Sequence, residues 1–210
     1  MKNCLGLSYL LLSVTVLFVG CSDQVILNED TKQEVQTVMV QEGLQTVEHQ
    51  ADNMDRGDHD FMTNYYGELV IDPNVNDYKR GDVIYYAVPE KYNEKRISRI
   101  VALSGEEIEI KDGQVYIDGK KLDTFYGSFH RKGMDMEQYL KWRKENKQDQ
   151  GKNEEQVREE WLHDHTLEKV TIPENHIYVL GDDWLRSVDS RVFGPLLKDN
   201  IRGKVLGYKK

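Results

Sequence analysis

The chain has little cysteine, little proline and too few basic residues to balance its acidic ones. The two cysteines, Cys4 and Cys21, lie near the N-terminus and can form neither a disulfide framework nor a zinc site. The formal net charge of −9 argues against nucleic acid as a partner, because phosphate binding needs a basic surface. The rest of the composition is typical of a globular domain, and 210 residues predict a single one. We expect no cofactor.

The chain also lacks an apolar run of the usual length for a membrane helix. Its longest run, from Leu5 to Gly20, has 16 residues, whereas a spanning helix needs roughly 20. This run follows Lys2 and ends in Leu17-Phe18-Val19-Gly20-Cys21, which resembles a bacterial lipobox, with Phe18 where leucine is preferred. We therefore expect residues 1–21 to be a lipoprotein signal peptide and lipid on Cys21 to hold the chain at the outer face of the cell membrane. The alternative is an uncleaved transmembrane anchor.

The remaining residues predict a mainly β fold of one domain. Residues 22–34 are expected to form a polar tether, and residues 35–210 a β domain. Residues 127–168 differ, because apolar residues there recur at helical spacing among dense charges, which indicates a helical insertion. Short runs rich in apolar and β-branched residues predict strands at about 35–41, 68–71, 82–88, 96–103, 107–110, 115–117, 167–172, 177–180 and 203–208.

An acidic stretch at residues 51–66 raises the question of a metal site. Asp52, Asp55, Asp58 and Asp60 lie there together with His59. Hard cations bind several carboxylates, but the spacing fits no EF-hand loop, which needs its glycine and distal glutamate in register. We expect no metal site.

The segment that follows the strand at 177–180 carries the strongest motif. It is similar to the C-terminal signature of type I signal peptidases, roughly G-D-N-x-x-x-S-x-D-S-R-x-x-G. Seven of the eight fixed positions match, and Asp183 stands where asparagine is usual. The matching residues are Gly181, Asp182, Ser187, Asp189, Ser190, Arg191 and Gly194. We expect Asp189 and Arg191 to pair with each other or with neighbouring backbone, and Ser187 to face the former catalytic site near Ser98.

Three other segments resemble boxes of the same family, in the same order. They are Lys79–Ile84, Arg99–Glu106 with Val115–Lys120, and Pro173 with Tyr178–Asp182. Ala102 and Ser104 replace the glycine and proline that are usual in the second box. The resemblance covers about residues 47–126 and 169–208. It implies an antiparallel β fold of the signal peptidase and LexA type, with a catalytic serine and lysine.

The resemblance places both catalytic positions, and neither holds the expected residue. The lysine should precede Arg99, where this chain has Ser98 on an apolar strand face. The serine should lie in S-M-x-P-T, and the best match puts Asn53 at that position, in Asp52-Asn53-Met54. A second alignment puts Phe61 there, and it also supplies no hydroxyl.

Two classes of function stay open at this point. One is a catalytically inactive family member that binds a peptide or protein client at the membrane. The other is an active serine endopeptidase with a rearranged site, using Ser98, Ser104 or Ser187 and an unidentified base. His59 and His176, the histidines outside the insertion and the N-terminal linker region, are in no recognisable catalytic pairing.

Overall fold

The strands of the domain form two sheets, and the signature segment follows a strand of the larger one. The computed structural model describes residues 24–28, 30–89, 94–148 and 151–210, except for the side chains of residues 163 and 164. The signal peptide predicted at residues 1–21, with Cys21, lies outside these ranges. No helix within them combines the length and apolar character needed to cross a bilayer.

The larger sheet contains eight of the described strands and carries the motif segments. The strands are β2 (Thr37–Val38), β3 (Gln45–Val47), β4 (Leu69–Asp72), β5 (Val83–Ala87), β6 (Lys95–Ala102), β11 (His176–Leu180), β12 (Leu196–Leu197) and β13 (Ile201–Lys209). Their order along the sheet is β12-β11-β6-β5-β13-β4-β3, and each of these neighbours pairs antiparallel. β2 lies outside this order and pairs in parallel with β13.

Five of the strands that the structure describes form the smaller sheet, in the order β1-β9-β8-β7-β10. Its members are β1 (Val25–Ile26), β7 (Glu107–Lys111), β8 (Gln114–Ile117), β9 (Lys120–Leu122) and β10 (Leu167–Thr171). Asp112 and Gly113 join β7 to β8, and Asp118 and Gly119 join β8 to β9, all four with positive φ. Two such residues in succession match the right-handed twist of paired strands.

The two long helices lie in the insertion that the sequence predicts, and two described helices of four residues lie outside it. The helices are α1 (Thr63–Tyr66), α2 (Met136–Glu145), α3 (Glu154–Asp164) and α4 (Ser190–Phe193), with a 3₁₀ turn at Lys198–Asn200. Asp135 and Asn153 begin the two long helices with capping boxes. Tyr139 and Trp161 bury one face of this pair against Phe129. The mainly β fold with antiparallel sheets and a helical insertion is confirmed.

Several described residues of the segment predicted as a polar tether at 22–34 contact the domain. β1 pairs in parallel with β9, and the side-chain amide of Asn28 donates to the carbonyl of Arg80 and the hydroxyl of Tyr126, at 2.7 and 2.9 Å. Thr31 covers Gly81, where a Cβ atom would come within 2.1 Å of the Thr31 hydroxyl. Composition did not reveal this attachment because it depends on pairing with distant strands.

Candidate functional site

The signature segment folds back on the end of β11. The buried carboxylate of Asp189 accepts the Gly181 N–H at 3.0 Å and pairs with two nitrogens of Arg191 at 2.9 and 2.8 Å. The Ser190 hydroxyl accepts the N–H of Val179 at 3.0 Å. The pairing expected between Asp189 and Arg191 is therefore confirmed. These bonds give the segment a fixed conformation beside the strand.

Three of the motif segments meet at the buried guanidinium of Arg99. Its Nε and one terminal nitrogen donate to the two carboxylate oxygens of Asp182, at 2.8 and 2.6 Å. Its other terminal nitrogen donates to the Gly81 carbonyl at 2.9 Å. The rings of Phe125 and Tyr126 lie 5.0 and 5.3 Å from the guanidinium carbon. Arg99 thus joins the turn before β5, the strand β6 and the signature segment.

Asn53 lies against both β6 and the signature segment. Its side-chain nitrogen donates to the carbonyl of Ile97 at 2.7 Å, and its backbone carbonyl accepts the N–H of Asp183 at 2.9 Å. The hydroxyl of Ser187 donates to the same Asn53 carbonyl at 3.1 Å and to the Asp183 carbonyl at 2.7 Å. Ser187 therefore contacts Asn53, one of the two positions of the site that it was expected to face.

The two candidate nucleophile positions, Asn53 and Phe61, have different surroundings. Phe61, the alternative, packs in an apolar cluster, and its N–H donates to the hydroxyl of Tyr208 at 2.6 Å. Asn53 instead reaches the carbonyl of Ile97, the residue that precedes Ser98. That Asn53 and Ser98 correspond to the nucleophile and base of the family stays a prediction.

Ser98 is fully buried, and its hydroxyl lies 3.0 Å from the hydroxyl of Tyr86. Burial raises the pKa of Tyr86 well above its usual value, so this neighbour stays neutral and is a poor base. The other two candidate serines are bonded to backbone: Ser104 donates to the His176 carbonyl at 2.7 Å, and Ser187 bonds as described above. Among the described residues, no hydrogen bond joins these three hydroxyls to a lysine or a histidine ring.

His49 belongs to this site, and sequence reasoning missed it because no motif included it. Its Nε2 lies 2.9 Å from Oδ1 of Asn53. The amide nitrogen of Asn53 donates to the Ile97 carbonyl, so the atom that faces His49 is the amide oxygen Oδ1. Because an amide oxygen can only accept, Nε2 of His49 must be the donor and must carry the proton. Burial lowers the pKa of His49, the bond to Asn53 opposes that shift, and the charge of Arg96 adds to it. The Asn53 match alone gave no signal for a histidine four residues earlier.

The lowered pKa of His49 predicts a pH-dependent stability. Folding favours neutral His49, so its stabilising contribution is present above the unfolded pKa near 6.5 and is lost as pH falls through the lower folded value. We expect wild type to lose more unfolding free energy between pH 7.5 and pH 5 than His49→Gln, whose amide can still donate to Asn53. Urea titrations at several pH values measure this difference. Parallel pH dependences for the two proteins would contradict the prediction.

A polar cleft of about 520 Å³ adjoins His49. Its walls are residues 48–51, which continue from β3, residues 94–96 at the start of β6, and residues 185–188 of the signature segment. Glu94 pairs with Arg96 on one wall, and Arg186 pairs with Asp52 beside the other at 2.8 Å. Ser187 lines the cleft with His49. The cleft therefore brings together the segments of both predicted catalytic positions.

Asp183, the one departure from the signature, pairs with the helical insertion. Its buried carboxylate accepts from the guanidinium of Arg131 and from the N–H of Leu185, the latter at 3.1 Å. Burial raises the pKa of Asp183, and the charge of Arg131 opposes that shift. The N–H of Trp184 also donates to the His130 carbonyl at 3.0 Å. The ion pair with Arg131 thus gives a structural reason for an aspartate at position 183, where the signature usually has asparagine.

In the acidic stretch before α1, Asp52 pairs with the distant Arg186, whereas Asp55 bonds locally. One oxygen of Asp55 accepts the N–H groups of Gly57 and His59, both at 2.8 Å, and the ring of His59 stacks on Tyr65. Within the ranges that the structure covers, no group of three or more histidine, cysteine, aspartate or glutamate side chains could hold a metal ion.

Comparison with known proteins agrees with the motif match. The family model for signal peptidase, peptidase S26, matches residues 22–208. The chain is 32% identical over 136 residues to signal peptidase I of Bacillus caldolyticus, covering 63% of this chain and 62% of that protein. It is 32% identical over 117 residues to signal peptidase I of Bacillus licheniformis (56% and 50%) and 30% identical over 128 residues to signal peptidase IB of Staphylococcus aureus (60% and 58%).

Among solved structures, a signal peptidase I from Enterococcus faecalis V583 aligns with a TM-score of 0.42 and 25% identity, covering 62% of this chain and 98% of that one. The chain spans about half to three fifths of the length of the curated relatives given above. The family model, in contrast, extends over most of the chain, from before β1 to the end of β13. The chain belongs to the signal peptidase family, peptidase S26.

Proposed function

We propose that this protein is a membrane-attached, catalytically inactive member of the signal peptidase family that binds an extended peptide or protein client in the cleft beside His49. The observation that carries the proposal is the bonding of the two predicted catalytic positions. Asn53 holds the backbone of Ile97, and Ser98 bonds to Tyr86. Both side chains are buried and serve the fold.

The chemistry of peptide cleavage supports inactivity. A serine hydroxyl becomes nucleophilic when a base removes its proton, and a lysine can be that base when burial lowers its pKa. The amide of Asn53 is neither nucleophile nor base at neutral pH. Nε2 of neutral His49 carries a proton and donates it in a hydrogen bond to Asn53. That nitrogen therefore has no free lone pair with which to accept a proton from a nucleophile. Losing even one member of such a pair leaves only about 10³–10⁴-fold acceleration over water.

The position of the cleft supports binding of an extended chain. β3 pairs with β4 and is the last strand along its sheet, and it leads directly into residues 48–51 of the cleft wall. Extended peptides commonly bind along sheet edges, where the backbone supplies affinity and side-chain pockets supply specificity. This cleft is lined by charged residues, among them Glu48, Lys95 and Arg186. It therefore suits a client segment with polar side chains.

The proposal is tested by incubating the full chain with a fluorescent signal-peptide-bearing precursor. The wild type should bind the precursor and leave it uncut, while signal peptidase I of Bacillus caldolyticus serves as the positive control. Cleavage by wild type that disappears in Ser98→Ala, Ser104→Ala or Ser187→Ala would identify a rearranged active site and refute inactivity. Cleavage that survives all three substitutions would mean a different nucleophile and would refute it too.

Lipid on Cys21 is the anchor that we propose, holding the domain at the outer face of the cell membrane. The lipobox-like segment that ends at Cys21 supports this location. Cys21→Ala should leave an unprocessed precursor or release the chain, and fractionation with mass spectrometry of the N-terminus distinguishes these states from the mature protein. Wild-type protein that stays in the membrane with residues 1–20 still attached would show a transmembrane anchor instead.

A further inference from the structure

The first described strand has an apolar face that points away from the domain. Ile26 packs against the core cluster of the smaller sheet, whereas Val25 and Leu27 are 45% and 57% exposed. Val25 on β1 and Leu27, which directly follows this strand, flank the inward-packed Ile26, so both exposed side chains lie on the outer side. Lys121 is opposite Val25 on β9 and forms an ion pair with Asp123 at 3.0 Å. The outer face therefore combines two aliphatic side chains with a charge pair.

Backbone bonds hold this strand firmly in place. The N–H of Lys121 donates to the carbonyl of Gln24 at 3.2 Å, and the N–H of Asp123 donates to the carbonyl of Ile26 at 2.9 Å. Immediately after Leu27, the side chain of Asn28 bonds to Arg80 and Tyr126. The outer face is thus fixed to the domain, and its orientation sets the orientation of the domain.

The proposed membrane attachment point, Cys21, is only four residues before Val25 in the sequence. From Cys21 to Val25 the chain advances four residues, which span at most about 14 Å when fully extended. A free 13-residue tether, in contrast, would have a typical end-to-end distance of roughly 20 Å and would impose no orientation. Attachment at Cys21 therefore keeps β1 close to the lipid headgroups.

We propose that the outer face formed by Val25, Leu27 and Lys121 lies on the bilayer surface and holds the domain in one orientation there. This inference rests on the membrane attachment proposed above, but it applies equally to a lipid on Cys21 and to an uncleaved apolar segment. Aliphatic side chains bury in the headgroup boundary, and the Lys121 ammonium can meet lipid phosphates. The smaller sheet then faces the membrane through its β1 edge.

The test compares two probe positions on the membrane-attached protein. Val192 on α4 is a matched control, because its exposed fraction of 57% equals that of Leu27. Leu27→Cys and Val192→Cys are labelled with an environment-sensitive fluorophore and reconstituted in vesicles of phosphatidylglycerol and phosphatidylethanolamine with quencher-bearing lipids. We expect the label at position 27 to be quenched several-fold more than the label at 192, and to be protected from iodide.

Each other outcome overturns the orientation. Equal quenching by lipid at both positions would mean that the domain tumbles on its anchor. Protection of position 27 from iodide without quenching by lipid would mean that a protein covers this face. The parent chain, labelled in parallel, reports whether the thiols of Cys4 and Cys21 are free. A free thiol at Cys21 contradicts the lipid anchor, and positions 27 and 192 are then compared in chains that carry Cys4→Ser and Cys21→Ser, which the uncleaved apolar segment still attaches to the vesicles.

Discussion

Replacing Arg99 by alanine should lower the free energy of unfolding by roughly 3–5 kcal/mol, because the substitution leaves a buried carboxylate without its main partner. The side chains of Arg99 and Asp182 are each only 3% exposed. The substitution also removes the donor to the Gly81 carbonyl. Arg56, whose Nε lies 3.6 Å from Asp182, is too distant for an equivalent bidentate bond. Urea unfolding, followed by tryptophan fluorescence, measures the loss.

Two companion variants show whether the loss comes from the buried pair. Arg202→Ala removes an exposed arginine that donates to the carbonyls of Asp199 and Ile201, and it should remain close to wild type. The double variant Arg99→Met/Asp182→Leu removes both charges and should recover part of the stability lost in Arg99→Ala. A loss below about 1 kcal/mol in Arg99→Ala would show that the guanidinium is not a central support of the fold.

The same contact shows which features the sequence could predict. The strands β5, β6 and β11 follow from local runs of apolar and β-branched residues, and the two turns follow from their Asp-Gly pairs, which adopt positive φ readily. The motifs at Gly81, Arg99 and Asp182 indicated that three segments matter. Their meeting at one guanidinium involves sequence separations of 18 and 83 residues, which only the folded chain reveals.

The features that sequence did not predict depend on tertiary pairing. β1 is two residues long and has no alternation to detect, and it is a strand because β9 supplies the partner. Likewise, Arg131 is 52 residues from Asp183, in a segment that resembles no family motif. His49 lies four residues before Asn53 in a non-helical segment, so helical spacing gave no hint of their contact.

The largest expected change in activity is a gain in Asn53→Ser/Ser98→Lys. The substitutions supply a hydroxyl and an amine at the two predicted catalytic positions. Because position 98 is fully buried beside Tyr86, the new lysine should have a lowered pKa and could accept the serine proton. We expect cleavage of the signal-peptide precursor at least about tenfold above wild type, since general-base catalysis typically contributes about 10²–10⁴-fold and only part should be recovered.

The matched control for this gain is Asn53→Ser/Ser98→Met, which adds a side chain of similar length without an amine. Adding a long side chain at an enclosed position costs about 1–3 kcal/mol, so circular dichroism and urea unfolding must accompany the activity measurement. If the lysine variant does not fold, Tyr86→Phe in the same background removes the hydroxyl 3.0 Å from position 98 and makes room. A folded lysine variant that cleaves no faster than its methionine control would show that loss of the serine and lysine is not what separates this chain from an active peptidase.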